Sequence, residues 1–214
     1  LFDDGLAFGR GAFETLPVYD QPVWLEAHLD RLNRTLPLLG IQRQIAVTDI
    51  LDQINRFAIH DQALKIIVTP QNLILTTRPL PEVKPEGIRL AVHPDGHPHR
   101  APLAGMKTLN YLGYLLAREK AQSADCQDAL FVTREGQILE TSTANLFAIQ
   151  GDKVRTPAAN GRILPGIVRQ FVLDLGQAER IRVEEGPLTL AEFAQTDAVF
   201  VTNSLIGIQP VREI

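Results

Sequence analysis

Thiols are almost absent: Cys126 is the single cysteine among 214 residues. One thiol cannot close an intrachain disulfide, and it supplies no zinc-ligand pattern. Such usage is compatible with a reducing cytosol, which is the expected location. No apolar run approaches the roughly 18 residues that a membrane-spanning helix needs, and no secretory leader is visible. The chain opens at Leu1 without a methionine and stops at Ile214 with no evident terminal element. A chain short of its natural ends is therefore expected. Charge of one sign is also lacking. Lys and Arg total 21 against 25 Asp and Glu, a net charge of -4 without a basic block. Nothing in the charge pattern suggests nucleic acid. Nucleophile-elbow, phosphate-loop and dinucleotide glycine motifs are all missing. His93, His97 and His99 lie close together, but without a cysteine or fixed carboxylate beside them in a proline-rich stretch. No metal site is expected there. What remains is 45% hydrophobic and 21% charged, the composition of an ordinary globular protein with one large or two small domains.

The opening carries three glycines, Gly5, Gly9 and Gly11, which allow tight turns or close backbone approach. Residues 15–19 and 23–25 flank Asp20-Gln21-Pro22 and predict a hairpin. Leu25, Leu29, Leu32 and Leu36 recur at three- and four-residue steps and predict a helix ended by Gly40. A second helix is expected from Thr48, as N-cap, to Ala58. Strands follow over 63–68, 73–77 and 88–93, the first two joined tightly by Pro70-Gln71-Asn72. Beyond the Pro/Gly/His-rich residues 94–104 come a helix over 109–122, with Leu112, Leu115, Leu116 and Lys120 in phase, and strands over 129–132, 138–139, 145–149 and 154–156. A helix over 167–175 and strands over 181–183, 198–202 and 206–211 complete the chain. The sum is an α+β chain of two lobes: a smaller one over 1–93, a connector over 94–104 and a larger one over 105–214.

Lysine is scarce: Lys65, Lys84, Lys107, Lys120 and Lys153. A catalytic amine must be partly desolvated to be nucleophilic near neutral pH. Lys84 lies in a proline loop, Lys153 at a hairpin tip and Lys120 at a helix end, all solvated settings. Lys65 begins a strand and suits a rim. Lys107 stands at the junction of connector and helix, where a cleft could form; position alone leaves a plain surface lysine open. Glu140 ends a strand and precedes hydroxyls and the amide of Asn145, which could orient a carboxylate. A solvated strand-end glutamate is equally open. Pro165-Gly166 opens a helix whose first amides, at Ile167 and Val168, could take an anion. Asn203-Ser204 offers further donors or an ordinary turn. Arg31 is an anion candidate or an exposed helical charge.

Taken in order, Phe8–Thr15, His28–Leu32, Lys107–Asn110, Leu139-Glu140 with Ala144–Phe147, Pro165–Arg169 and Thr202–Ser204 resemble the fold-type-IV pyridoxal-phosphate enzymes. These are the branched-chain and D-amino-acid aminotransferases and the 4-amino-4-deoxychorismate lyases. The resemblance implies pyridoxal 5'-phosphate as cofactor, held between two lobes, and a homodimer. It implies that Lys107 carries the cofactor and acts as base. Glu140 would hold the pyridine nitrogen protonated, with Asn145 behind it. Arg31, the amides of Ile167 and Val168, and Ser204 with Asn203 would bind the phosphate. Tyr111 would approach the ring hydroxyl and Phe13 would line the substrate side. Arg100 is the candidate for the substrate carboxylate, against an exposed linker charge. Arg10 departs from the family, which has an acidic residue in that turn.

Within the family, residues 102–110 and Asn203-Ser204-Leu205 look most like the lyases. The Arg-x-His carboxylate trap of the D-amino-acid enzymes sits on a long loop, replaced here by Pro70-Gln71-Asn72. The expected activity is elimination of pyruvate from 4-amino-4-deoxychorismate to give 4-aminobenzoate, a step of folate synthesis. The alternatives are an aminotransferase acting on branched-chain or other amino acids and, ranked last, a non-catalytic cofactor-binding protein.

Overall fold

The computed structural model describes residues 2–214; Leu1 lies outside the described residues. The chain separates into two compact units, one holding residues up to Pro81 with Met106–Asn110, the other Glu82–Gly105 with Tyr111–Ile214.

In the first unit a short helix α1 (Asp4–Phe8) precedes strand β1 (Ala12–Val18), helices α2 (Leu25–Leu38) and α3 (Val47–Arg56), and strands β2 (Gln62–Val68) and β3 (Leu73–Pro79). The strands form an antiparallel sheet in chain order. Period-two alternation sends Ala12, Leu16 and Val18 of β1, with Leu64, Ile66 and Val68 of β2, to one face. Leu25, Leu29, Leu32 and Leu36 of α2 close that core, each at 2% exposure or less. The leucine period thus found its helix. The expected hairpin shrinks to one bridge, Val18 to Pro22, because Trp24 turns left-handed (φ 52°) and starts α2 at once. Thr48 is not the cap of α3: Ala46 occupies that place, with no side-chain bond to the first turn. Arg10 donates to the carbonyls of Leu39 (3.0 Å) and Gly40 (3.1 Å) just past α2 and pairs with Asp4. A cation there suits the helix C-terminus, so its departure from the family serves the end of α2.

The second unit contains β4 (Ile88–His93), a 3-10 turn at Leu103–Gly105, α4 (Leu112–Ser123), β5 (Asp128–Val132), β6 (Ile138–Thr141), β7 (Asn145–Gln150) and β8 (Lys153–Thr156). It continues with α5 (Ile167–Ala178), β9 (Arg182–Glu185), α6 (Leu190–Phe193), β10 (Ala198–Asn203) and β11 (Gly207–Glu213). Its eight strands run in the order β6-β5-β4-β11-β10-β7-β8-β9. Strand β4, grouped by sequence with the first lobe, lies in the middle of this sheet, parallel to both β5 and β11. Parallel partners need a crossover and so lie far along the chain, which a reading by sequence neighbours misses. Helix α4 also corrects an expectation. Its periodic Leu112, Leu115 and Leu116 are exposed, while Tyr114, Ala117 and Ala121 are buried with Ala129 and Phe131 of β5. Small alanines let the helix approach the sheet closely, so they take the inner face. No helix among the described residues is long and apolar enough to cross a membrane.

Candidate active site

Lys107 stands ahead of α4, which starts at Leu112 rather than at 109. It belongs to a short extended stretch laid along the free edge of β1. Phe13 N–H donates to Lys107 O (2.9 Å), Leu109 N–H donates to Gly11 O (2.9 Å), and Ala12 bridges Thr108. Antiparallel pairing sets Lys107 opposite Phe13, so both side chains leave the same face. The Lys107 ammonium lies 4.7 Å from the centre of the Phe13 ring. Gly11 makes this approach possible: a Cβ there would sit 2.6 Å from both Leu109 Cδ1 and Val68 O. Asn110 ties the far end of the stretch by donating to Gly9 O at 3.0 Å.

Arg31 is not an exposed helical charge; it is 7% exposed. Its Nε donates to Glu14 Oε1 (2.8 Å) and its Nη2 to Glu14 Oε2 (2.7 Å), a two-point fork. His28 lies 2.7 Å from the same carboxylate through Nδ1. Glu14, absent from the sequence-based candidates, is therefore the anchor of the group. Its signal was present: an acid in phase with buried Ala12, Leu16 and Val18 needs a cation, and α2 supplies one. Burial raises the Glu14 carboxyl, but the charge and hydrogen bonds of Arg31 and the bond from His28 outweigh it and lower it to about 2. Burial also lowers the His28 imidazole, so the Glu14–His28 contact is a neutral donor on a carboxylate rather than an ion pair.

Both shifts act in one direction on stability. The folded carboxyl is depressed, so its contribution is full above the ordinary value of 4.5 and is lost as pH falls through about 2. The unfolded His28 takes a proton below its ordinary 6.5 while the folded one resists, so stability begins to fall there. Thermal melts from neutral pH to pH 4 should show a steady loss of midpoint. Glu14→Ala, which strands buried Arg31, should cost about 3–5 kcal/mol in a urea melt. A variant as stable as the parent would contradict this anchoring.

In the second unit, Glu140 on β6 is 5% exposed. Its Oε1 accepts from His97 Nε2 (2.8 Å), its Oε2 from Asn145 Nδ2 (3.0 Å), and both oxygens lie 3.2 Å from Leu164 N. A carboxylate only accepts, so His97 carries its hydrogen on Nε2. The solvated strand-end reading of Glu140 is thus excluded. The sequence around His97 points to no role for it, because its partner is 43 residues away, a separation that leaves no local signal. Tyr114 also reaches His97 Nε2, at 2.9 Å.

Tyr111 stacks on Tyr114 (4.5 Å, 13°) and donates its hydroxyl to Ser142 O at 2.6 Å. Burial, then the negative Glu140, raise the Tyr111 phenol above its ordinary range, so it stays protonated. Ser142 is fixed in turn by Asp128, which accepts from its hydroxyl and from Thr143 Oγ1 (2.9 Å). The first turn of α5, at Ile167 and Val168, has no side-chain cap; Gly166 holds the cap position with extended backbone. A Cβ on Gly166 would lie 2.0 Å from Asn145 Oδ1, so glycine is required where Asn145 crosses the helix start. The Asn203 side chain is engaged locally: Oδ1 accepts from Leu205 N (2.9 Å) and Ile206 N (3.1 Å), and Nδ2 reaches Thr143 O at 3.3 Å. It shapes the turn that carries Ser204. Arg100 is exposed ahead of the 3-10 turn.

Each unit by itself offers groups that suit part of a flat cationic heterocycle with a phosphate tail. In the second, a buried carboxylate held by three donors suits a protonated ring nitrogen and uncapped helix amides suit a phosphate; in the first, a lysine lies along an aromatic ring. A mixed α/β fold bearing these groups defines a fold-type-IV pyridoxal-phosphate enzyme. The family described as amino-transferase class IV matches residues 11–214, and the chain belongs to it. The chain is 30% identical, over 100% of its length and 82% of the relative's, to a protein of Methanocaldococcus jannaschii provisionally named branched-chain-amino-acid aminotransferase. A solved structure from Legionella pneumophila, provisionally named 4-amino-4-deoxychorismate lyase, superposes with a TM-score of 0.91 at 30% identity, covering 100% of this chain and 86% of the other. The 4-amino-4-deoxychorismate lyase of Pseudomonas aeruginosa superposes at 0.83 with 28% identity, covering 99% and 85%. The protein is thus a pyridoxal-phosphate-dependent enzyme of the lyase and aminotransferase kind.

Proposed function

We propose that the protein is a 4-amino-4-deoxychorismate lyase, releasing pyruvate and 4-aminobenzoate for folate synthesis. The observation that carries this reading is likeness, over 99% of the chain or more, to two solved structures bearing the lyase name. The tight β2–β3 turn supports it. Thr69 N–H donates to Asn72 O at 3.0 Å, and Asp3 accepts from Asn72 Nδ2 at 3.0 Å. That turn has neither length nor cations for a D-amino-acid carboxylate trap.

Bound pyridoxal phosphate supplies an electron sink for the pair left when a proton leaves the amine-bearing carbon. In this reading the Lys107 amine removes that proton from ring C4 of the substrate. The neighbouring C–O bond then breaks, the enolpyruvate fragment takes up a proton as pyruvate, and the ring becomes aromatic. Glu140, oriented by His97, Asn145 and Leu164, would accept the pyridinium hydrogen bond and keep that nitrogen charged. In the first unit Arg31 would offer the phosphate a donor, and in the second the Ile167 and Val168 amides and Ser204 would do so, with Asn203 shaping the turn that carries Ser204. Tyr111 donates its hydroxyl to Ser142 O, so toward a bound cofactor its oxygen would serve as an acceptor. Phe13 lines the substrate side. A homodimer in the cytoplasm belongs to the same reading, and the exposed leucines of α4 offer a face for the second copy.

The second reading is an aminotransferase, favoured by the Methanocaldococcus relative. A product assay separates the two. A lyase forms 4-aminobenzoate and pyruvate from aminodeoxychorismate without any amino acceptor. Transfer of amino groups from leucine to 2-oxoglutarate, with no aminobenzoate formed, would overturn the lyase.

A further inference from the structure

In the second unit, the connector between β4 and the 3-10 turn is fastened at two points. Gly96, left-handed at φ 77°, donates its N–H to Val132 O at the end of β5 (2.9 Å). Pro98 packs on α4 where Gly113 leaves room: a Cβ there would lie 2.7 Å from Pro98 Cβ. His97 stands between these fixed points with its side chain turned inward, 4% exposed. Aromatic rings close around it, Tyr114 edge-on at 5.0 Å and Phe131 at 5.6 Å. Its Nδ1 is flanked by the N–H and the carbonyl of His99 (3.2 and 3.1 Å), so that nitrogen has a partner with or without a hydrogen. Nε2 is left to Glu140 Oε1 at 2.8 Å, with the Tyr114 hydroxyl beside it at 2.9 Å. An imidazole boxed in on these sides is held on the carboxylate. Asn145 Nδ2 and Leu164 N already orient that carboxylate. What a third donor adds is electronic, because each hydrogen bond to a carboxylate favours its charged form over the protonated one. Burial works the other way: it pushes a carboxylate–pyridinium pair toward its neutral form, in which the proton has crossed to oxygen.

We propose that His97 is a positioning residue that keeps the proton on the cofactor's pyridine nitrogen by holding Glu140 in its charged form. Tyr114 and His99 serve it by fixing the plane of the imidazole and the side on which Nε2 lies. The inference deepens the proposed function and rests on its placement of Glu140 at the pyridine nitrogen. It holds for a lyase or an aminotransferase, since both use the protonated ring as an electron sink.

The test reads the ring nitrogen directly and needs no substrate. Parent, His97→Phe, His97→Gln and Glu140→Gln are loaded with pyridoxal phosphate isotopically labelled at its ring nitrogen. The NMR shift of that nitrogen in the resting holoenzyme is followed across pH, which gives the midpoint at which it loses its proton. The other titratable groups around Glu140, namely His99, Tyr111 and Tyr114, are the same in every variant. His97→Phe keeps a flat ring without a donor. Its midpoint should fall by about one pH unit or more, a tenfold change that matches the loss of one hydrogen bond to a charged group. His97→Gln places an amide N–H near the position of Nε2 and should recover most of the parental midpoint. A residue that only filled space would leave the midpoint where it was. A lowered midpoint in Glu140→Gln without one in His97→Phe would overturn the inference and leave the role of Glu140 standing; no change in either would overturn both. A glutamine variant displaced as far as the phenylalanine one would also count against the donor role. Should the His97 variants fail to fold, parent holoenzyme carrying isotope-labelled histidine decides: His97 should bear its hydrogen on Nε2, and a bare Nε2 there would overturn the proposal.

Discussion

Lys107→Ala is expected to lower turnover by about 10⁴-fold or more, with the fold kept. The backbone bonds that seat the stretch, Phe13 N–H to Lys107 O and Leu109 N–H to Gly11 O, do not involve the side chain. Its cation–π contact with Phe13 is worth only about 0.5–1 kcal/mol. The melting midpoint should therefore move little. The absorption near the visible edge that marks a lysine-linked cofactor should vanish. A small primary amine added to the variant should restore part of the turnover, because the missing group is a base of that type. Full turnover without Lys107 would remove it from the chemistry.

Glu140→Gln should follow with a loss of about 10²–10⁴-fold in kcat and a small change in cofactor affinity. Glutamine keeps the shape and can still accept from Asn145 and Leu164. It lacks the charge that, in the proposed function, holds the pyridine nitrogen protonated, and its amide nitrogen meets His97 Nε2 donor to donor. The cofactor's absorption should persist but shift, since the ring's protonation changes while the lysine linkage does not. Those two readouts, rate and band, separate an electronic role from simple loss of binding. A variant with parental kcat would show that Glu140 does not tune the ring.

Much of this fold is legible in the sequence because its signals are local. The leucine steps of α2, the alternation of β1 and β2 and the Pro-Gly before α5 each mark an element within a few residues. The ordered stretches from Phe8 to Ser204 likewise name the family. What is not legible depends on long-range pairing. The place of β4 follows from parallel contacts with β5 and β11, and that of Lys107 from contact with β1; neither is encoded nearby. Helix α4 carries two apolar stripes, and periodicity favours leucines over the alanines that actually face the sheet. Glu14 and His97 are the instructive cases at the site. Each holds a residue that was recognised, Arg31 and Glu140 respectively, from 17 and 43 positions away. A single acid in a buried strand phase is a readable hint; a histidine in a proline-rich connector gives none until its partner is seen.

The central claim is that Lys107, and not the neighbouring Lys65, carries the cofactor. Reducing the holoenzyme with borohydride fixes the cofactor to its lysine, and peptide mapping by mass spectrometry then reads the site. The expected result is one phosphopyridoxyl group on the peptide containing Lys107, with Lys65 unmodified. A label on Lys65, or on any other lysine with Lys107 untouched, would contradict the assignment.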